Sequence, residues 1–139
     1  MEEFFVDSTF LVARFNVRDD RHKEALAFVG ELAAGAMGAF RVVTTDYVFD
    51  ETVTAILART RNHALAANAG RSVLNSKAWR LEFLGRRDFE KGWEFFLDRG
   101  DKRWSFTDCM SFTFMEDRGF RKALAFDENF RQAGFATLP

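Results

Sequence analysis

The sequence predicts an α/β fold in which helices cover a parallel sheet of about four to five strands. Short runs typical of β-strands alternate with longer runs of helical periodicity, without internal repeats or low-complexity tracts. A chain of 139 residues with 47% hydrophobic content has the size and composition of one packed core. Since strands separated by helices favour parallel pairing with right-handed crossovers, we expect residues 1–139 to form a single α/β domain.

Five segments have the composition of strands. EFFVD at 3–7 and FRVVT at 40–44 are short apolar runs of the kind buried inside a sheet. WRLEFL at 79–84 alternates apolar and polar residues. The last two predicted strands are ALAF at 123–126 and FATL at 135–138.

Helices are predicted between these strands from apolar spacing and capping residues. The first begins at Ser8, and the other five cover about 19–34, 46–61, 62–75, 86–100 and 104–119. In the fifth, Phe89, Trp93, Phe96 and Leu97 stand at i, i+4, i+7 and i+8, the pattern of one helix face. In the last, Ser105 is the predicted N-cap, and Asp108 stands three positions later, as in an acidic capping box.

The composition excludes several kinds of site. Cys109 is the single cysteine, and His22 and His63 are the only histidines, so neither an intramolecular disulfide, a zinc cluster nor a histidine-based triad is expected. The net charge of −1 gives no global attraction to nucleic acid, so RNA binding would need a local basic patch.

The same sequence gives no sign of a membrane segment. No apolar stretch approaches the roughly 18 residues of a membrane span. The N-terminus, MEEFFVDSTF, is acidic where a signal peptide is basic. We therefore expect a cytoplasmic protein with no membrane partner.

Phenylalanine is unusually frequent, with 18 copies. The default interpretation is that these side chains form the core. A surplus beyond what a small core buries favours a dimer interface or a groove for a partner peptide, and we expect a homodimer.

Four acids from remote parts of the chain are predicted to meet at one edge of the sheet. Asp7 ends the first strand, and Glu51 lies in the second turn of the helix after the second strand. Asp108 lies in the first turn of its helix, and Asp127 follows the fourth strand. Ligands of open parallel sheets bind beyond the carboxyl ends of the strands, where these acids lie.

Each acid has a structural explanation as a cap or a solvated residue, but one shared cation accounts for all four. Oxygen-only ligands favour Mg²⁺ or Mn²⁺. Such an ion orients water and stabilises the charge of a phosphodiester under attack, so hydrolysis of phosphodiesters is the predicted chemistry.

The ordered motifs VDST, TTDYVFDETV, WSFTDCMSF and ALAFDENFRQAGF resemble those of PIN-domain ribonucleases, and more narrowly the VapC-type toxins of toxin–antitoxin modules. The resemblance implies a three-layer α/β/α domain, endonucleolytic cleavage of RNA and a small antitoxin as partner. It also implies a catalytic Mg²⁺ or Mn²⁺ site formed by Asp7, Glu51, Asp108 and Asp127.

Neighbouring residues receive secondary roles in this interpretation. Ser8 matches a small polar residue that often follows the first aspartate of the family, and Asp101 is a reserve acid. Asp50 is expected to point about 100° away from Glu51 on the helix. A local basic track for RNA is available without any single residue being assigned to it, from Arg59, Arg61, Arg71, Arg80, Arg86, Arg87, Lys102 and Arg103.

Three other classes of protein remain open at this point. A response-regulator receiver also carries aspartates at strand ends, but here Asp7 has no adjacent acidic partner, and Asp127 stands where a receiver has a lysine. The chain also fits a housekeeping RNA-processing nuclease without an antitoxin. A non-catalytic module for RNA or protein binding is the third alternative.

Overall fold

The computed structural model describes all residues 1–139 and contains five parallel strands and seven helices. In chain order these are β1 (Glu2–Val6), α1 (Ser8–Phe15), α2 (His22–Ala33), β2 (Phe40–Thr45), α3 (Asp46–Thr60), α4 (His63–Asn75), β3 (Trp79–Glu82), α5 (Arg86–Asp98), α6 (Phe106–Arg118), β4 (Lys122–Leu124), α7 (Asn129–Gln132) and β5 (Ala136–Leu138). The strand order is β3-β2-β1-β4-β5, and helices cover both faces of the sheet. The predicted three-layer α/β/α fold is confirmed.

The first strand lies at the centre of the sheet and explains the apolar run at the N-terminus. Phe4, Phe5 and Val6 are completely buried. A parallel strand covered by helices on both faces has no side exposed to solvent, so its sequence is a continuous hydrophobic run. Strand β1 pairs with β2 on one side and β4 on the other, which brings the carboxyl ends of all three strands to one edge.

Most phenylalanines pack in the core, as the default interpretation predicts. The ring of Phe130 lies 6.0 Å from that of Phe5 and 4.9 Å from that of Phe112. Such stacked and edge-to-face pairs add to the free energy gained from burial, by about 0.5–1.5 kcal/mol each. These contacts join strand β1, helix α6 and the short helix α7, which are elements that border the carboxyl edge of the sheet.

Helix α5 is the exception to the core interpretation. Its single buried residue is Gly92, while Trp93 is 46% and Leu97 58% exposed. A Cβ at Gly92 would lie 2.1 Å from Met110 Sδ, so α5 packs against α6 through a position that has no side chain. Periodicity placed the apolar side chains on one face of α5, but it does not say what covers that face.

Helix α7 was not predicted, since four residues are too few for a periodic pattern. A turn capped by Asp127 was the structural alternative to its role in the acidic site. It is held to the start of α6 by a hydrogen bond from Trp104 Nε1 to Gln132 Oε1, at 3.3 Å. The segment after β4 is therefore fixed against α6.

Some boundaries also differ from the prediction. Helix α2 begins at His22 rather than near Asp19, because the Asp19 carboxylate accepts the backbone N–H of Arg21 at 2.8 Å and forms a turn. Strand β3 ends at Glu82 and does not reach residue 84.

None of the helices combines the length and the hydrophobicity that a membrane span requires.

Candidate active site

The four predicted acids come together at the carboxyl edge of the sheet. Asp7 follows β1 directly and caps α1, Glu51 lies in α3, Asp108 is the third residue of α6, and Asp127 lies in the segment between β4 and α7. The other three carboxylates each raise the pKa of Asp7 by charge repulsion. The cluster is thus formed by residues up to 120 positions apart in the sequence, Asp7 and Asp127.

Burial gives this cluster unusual proton affinity. Asp7 is 1% exposed. Its loss of contact with water, followed by repulsion from the other acids, raises its pKa from 3.8 to about 8 against the opposing effect of the Thr9 hydrogen bond. Burial is also the largest cause of the raised pKa values of Glu51, Asp108 and Asp127. Without a cation, Asp7 is mostly protonated at neutral pH.

The first two acids are oriented by hydroxyl groups of the same helix start. Thr9 Oγ1 donates to Asp7 Oδ2 at 2.6 Å and accepts the backbone N–H of Phe126 at 3.1 Å. The Ser8 hydroxyl donates to Glu51 Oε1. Consecutive residues of α1 therefore hold the acid that follows β1 and an acid of α3, and Thr9 also ties α1 to the segment after β4.

The other two acids are oriented at the start of α6 and of α7. Asp108 Oδ2 accepts the Ser105 backbone N–H at 3.1 Å, while the Asp108 N–H donates to Ser105 Oγ at 3.0 Å. This reciprocal pair is the predicted capping box. Asp108 Oδ2 also accepts Asn129 Nδ2 at 3.1 Å, and Asp127 Oδ1 accepts the Asn129 N–H at 3.2 Å. Asp108 thus caps its helix and belongs to the acidic cluster.

One carboxylate oxygen in the cluster lacks a partner. Asp7 Oδ1 is buried and makes no hydrogen bond. The hydrogen bonds of Asp108 and Glu51 likewise use one oxygen of each side chain, Oδ2 and Oε1. A buried polar atom without a partner is costly, and a cation bound by oxygen atoms is one way to satisfy it.

The ligand type in the cluster suits a hard divalent cation, but the spacing of the four carboxylates in this structure does not. All the donors are carboxylate oxygens, which Mg²⁺ and Mn²⁺ prefer. No three acidic, histidine or cysteine side chains form a complete metal-binding group in the structure. The cluster therefore supplies the charge, the burial and the unpaired oxygen for a cation, but not a closed cage.

The remaining predicted residues lie outside this cluster. Asp50 is exposed, and its Oδ1 accepts Thr54 Oγ1 at 3.2 Å, so it faces away from the other acids as the helix geometry predicts. Asp101 lies exposed in the loop after α5. Thr9 and Asn129 were missed, although each stands two residues after an acid, the spacing of local hydrogen bonds to an aspartate.

A cavity of about 250 Å³ adjoins the cluster and contains two arginines. Its lining residues are Thr9, Asp19, Asp20, Arg21, Arg59, Phe126 and Asp127. Arg59 belongs to the set of basic residues from which the sequence could supply a local track for RNA. The largest cavity, about 670 Å³, lies between α5, α6 and α7 and is lined by none of the four acids.

Comparison with known proteins identifies the family. The sequence profile of the PIN domain matches residues 4–136. The chain belongs to the PIN-domain family. The motif-based expectation is confirmed, and a receiver domain is excluded.

Relatives of this PIN domain are found among bacterial toxins. It is 32% identical over 134 residues to the 23S rRNA-specific endonuclease VapC20 of Mycobacterium tuberculosis strains H37Rv and CDC 1551, a match that covers 96% of both chains. The crystal structure of VapC20, described as a Sarcin-Ricin loop cleaving toxin, aligns with a TM-score of 0.83 over 96% of both chains.

A more distant structure shares the fold alone. VapBC2 of Rickettsia felis, crystallised with a DNA fragment of its promoter, aligns with a TM-score of 0.66 over 98% of this chain and 97% of the other, at 8% identity. The PIN fold therefore persists where almost no sequence similarity remains.

The raised pKa of Asp7 predicts how stability depends on pH without a cation. Between pH 3.8 and about 8 the folded chain holds a proton that the unfolded chain releases, so stability falls as the pH rises through this window. Asp7 contributes at most about 1.4 kcal/mol per pH unit. We expect Asp7→Asn to remove most of this slope, the fall of unfolding free energy with pH, between about pH 5 and about pH 7. Thermal unfolding in the presence of EDTA measures it.

Asp50→Asn is the matched control, since it removes a neighbouring but exposed acid. The unfolding free energy of this variant should fall with pH nearly as steeply as that of the wild type. The other three clustered acids contribute slopes of the same sign, because their pKa values are also raised. Equal slopes for wild type and Asp7→Asn would contradict the electrostatic description of Asp7.

Proposed function

We propose that residues 1–139 act as a single metal-dependent endoribonuclease domain, the toxin of a type II toxin–antitoxin pair. The observation that carries this proposal is the buried Asp7 carboxylate, which faces three other acids and has one oxygen without a hydrogen bond. In this proposal Asp7, Glu51, Asp108 and Asp127 are the catalytic residues and hold Mg²⁺ or Mn²⁺. Similarity to VapC20 over 96% of both chains supports ribonuclease chemistry.

The residues around the cluster prepare it for a cation. When bound, Mg²⁺ or Mn²⁺ orients or deprotonates an attacking water and stabilises the developing charge of the phosphodiester. Thr9 and Ser8 hold one oxygen each of Asp7 and Glu51, which limits the rotation of these carboxylates. Asp7 must give up its proton when a cation binds, so cation affinity should increase with pH.

Ribosomal RNA is the first substrate to test, because the relative at 32% identity is named for 23S rRNA. Proteins recognise RNA sequence chiefly in unpaired loops, whose bases and phosphates are accessible. Arg21 and Arg59 line the cavity beside Asp127, where they pair with Glu24 and Asp19 respectively. Exchange of these carboxylates for a backbone phosphate would place both arginines on RNA. We place this reaction in the cytoplasm, where ribosomes are found.

Loss of a clustered acid should abolish cleavage. Asp7→Asn and Asp108→Asn keep the side-chain shape but remove a charged ligand. We expect each to reduce cleavage of total cellular RNA with Mg²⁺ or Mn²⁺ by more than the roughly 10- to 100-fold typical of residues that only orient metal ligands. EDTA should have the same effect on the wild type, and gel analysis of the RNA measures the fragments.

Asp50→Asn and Asp101→Asn are the controls, since both remove exposed acids outside the cluster. They should cleave like the wild type. Cleavage by Asp7→Asn at the wild-type rate would indicate a contaminating nuclease. If the wild type itself is inactive with either metal on ribosomal and other RNA, the alternative of a non-catalytic binding module gains support.

The toxin assignment predicts growth arrest that depends on the same acids. Induced expression of the wild type in a bacterial host should stop growth, whereas Asp7→Asn at equal soluble yield should not. A small antitoxin can inhibit by placing a cationic side chain among the four acids while its apolar residues bind nearby. Co-expression of the adjacent small gene should therefore restore growth. Tolerated expression of an enzyme that cleaves RNA would instead support a housekeeping nuclease.

The exposed side of α5 supports the homodimer. We define the aromatic face as Phe89, Trp93, Phe96 and Leu97, which are 45%, 46%, 37% and 58% exposed. Phe106 lies among the three rings, at 5.5, 6.3 and 6.2 Å from their centroids. An exposed patch of this kind is typical of interaction sites.

The charges of α5 disfavour RNA as the partner of the aromatic face. Arg86 and Arg87 begin α5, whereas Glu94 and Asp98 lie toward its end. The four acids and three bases of this helix give it no positive charge for an RNA backbone.

A charge in the aromatic face should dissociate this dimer. Trp93→Asp should weaken self-association by about 2 kcal/mol or more, roughly 30-fold in Kd. Leu74→Asp is the control, because Leu74 is 55% exposed on α4, outside the aromatic face. Sedimentation equilibrium measures both. A monomeric wild type, or equal dissociation of the two variants, would count against this interface.

A further inference from the structure

Asn129 connects two acids of the cluster. We propose that Asn129 is a positioning residue that sets the spacing between Asp108 and Asp127 and so preserves the affinity of the site for its cation. This inference rests on the proposed metal-dependent function and assigns a role to a residue outside the acidic quartet. Asn129 itself contacts carboxylates rather than the cation in this proposal.

The geometry assigns one hydrogen bond of Asn129 to each acid. Its side-chain Nδ2 donates to Asp108 Oδ2 at 3.1 Å, and its backbone N–H donates to Asp127 Oδ1 at 3.2 Å. Asp108 lies 21 residues away on helix α6, whereas Asp127 lies two residues away in the segment after β4. A single residue therefore joins the carboxylates of two separate elements.

A neutral donor suits this position better than a charged one. Asp108 and Asp127 repel each other, since the charge of Asp108 raises the pKa of Asp127. A lysine between them would remove the repulsion but would also compete with a divalent cation for the same oxygens. The amide of Asn129 holds the carboxylates without adding charge, which leaves their full attraction for a cation.

Anchoring of α7 does not depend on Asn129. Phe130 is completely buried, and Trp104 Nε1 donates to Gln132 Oε1 at 3.3 Å. Gln132 thus ties α7 to the start of α6 through a hydrogen bond that touches no carboxylate. Asn129 and Gln132 form a matched pair, because each joins α7 to the region around the start of α6, Asn129 through Asp108 and Gln132 through Trp104, and only Asn129 contacts the acids.

The experiment compares Asn129→Ala and Asn129→Leu with Gln132→Ala in the full chain. Leucine keeps the branched shape of asparagine but is larger, whereas alanine is smaller, and neither has the side-chain donor, so agreement of the two variants separates the lost hydrogen bond from changed packing. Mn²⁺ affinity is measured from the electron paramagnetic resonance signal of free Mn²⁺. We expect a roughly 10- to 100-fold higher Kd for both Asn129 variants, as for other residues that orient metal ligands.

Two further readouts distinguish positioning from general stability. Saturating Mn²⁺ should restore most RNA cleavage by the Asn129 variants, because their catalytic acids are intact. Gln132→Ala should keep the wild-type Kd for Mn²⁺ within about twofold, even if its melting temperature falls, because it removes no bond to a ligand.

The outcomes separate this inference from the proposed function. A wild type that binds Mn²⁺ and cleaves RNA, with unchanged Kd values in both Asn129 variants, would overturn the role of Asn129 alone. Equal losses of Mn²⁺ affinity in the Asn129 variants and in Gln132→Ala would also overturn it, since anchoring of α7 would then explain the effect. A wild type that binds no Mn²⁺ overturns the metal site and this inference together.

Discussion

Burial of four acids close to one another is the constraint on which the rest of this structure depends. Asp7 is almost completely buried beside three other acids, and its raised pKa measures the free energy that this arrangement costs without a cation. The fold must hold these side chains together against their charges. It does so with a central strand fixed on both sides and with helices that begin at the same edge of the sheet.

Neutral hydrogen-bond donors complete this arrangement. Ser8, Thr9, Ser105 and Asn129 each hold an oxygen of one of the acids, and none of them carries a charge. Cationic partners would give greater stability to the empty site but would occupy the oxygens that a metal ion needs. In the proposed metal site, neutral donors leave these oxygens free for the cation at a cost to stability in its absence, as functional sites often do.

Much of this could be predicted from the sequence because the relevant signals are local or periodic. The buried run around Phe5, the capping residue Ser105 and the acids at strand ends each follow from a few neighbouring residues. The motifs and their order indicated the family, which the comparisons confirmed. What could not be predicted depends on long-range packing. The side of α5 that carries Trp93 has the same periodicity as a core helix, and only the position of α6 decides that it is exposed.

Helix α7 and two residues that orient the acids escaped prediction for a different reason. Helix α7 has four residues, and its place is set by Trp104 and by the burial of Phe130 in a distant part of the core. The roles of Thr9 and Asn129 likewise depend on contacts with Phe126 and Asp108, 117 and 21 residues away. A sequence pattern shows which groups can donate a hydrogen bond, but tertiary structure decides which acceptor they meet.

The central position of β1 also has a consequence for biosynthesis. This strand is made first, yet one of its two neighbours, β4, and the acid that follows β4 are made more than 110 residues later. A nascent chain that has not reached Lys122 has an open edge on β1, and one that has not reached Asp127 has an incomplete acidic cluster. Translation itself thus delays assembly of the complete cluster until nearly the whole domain has left the ribosome.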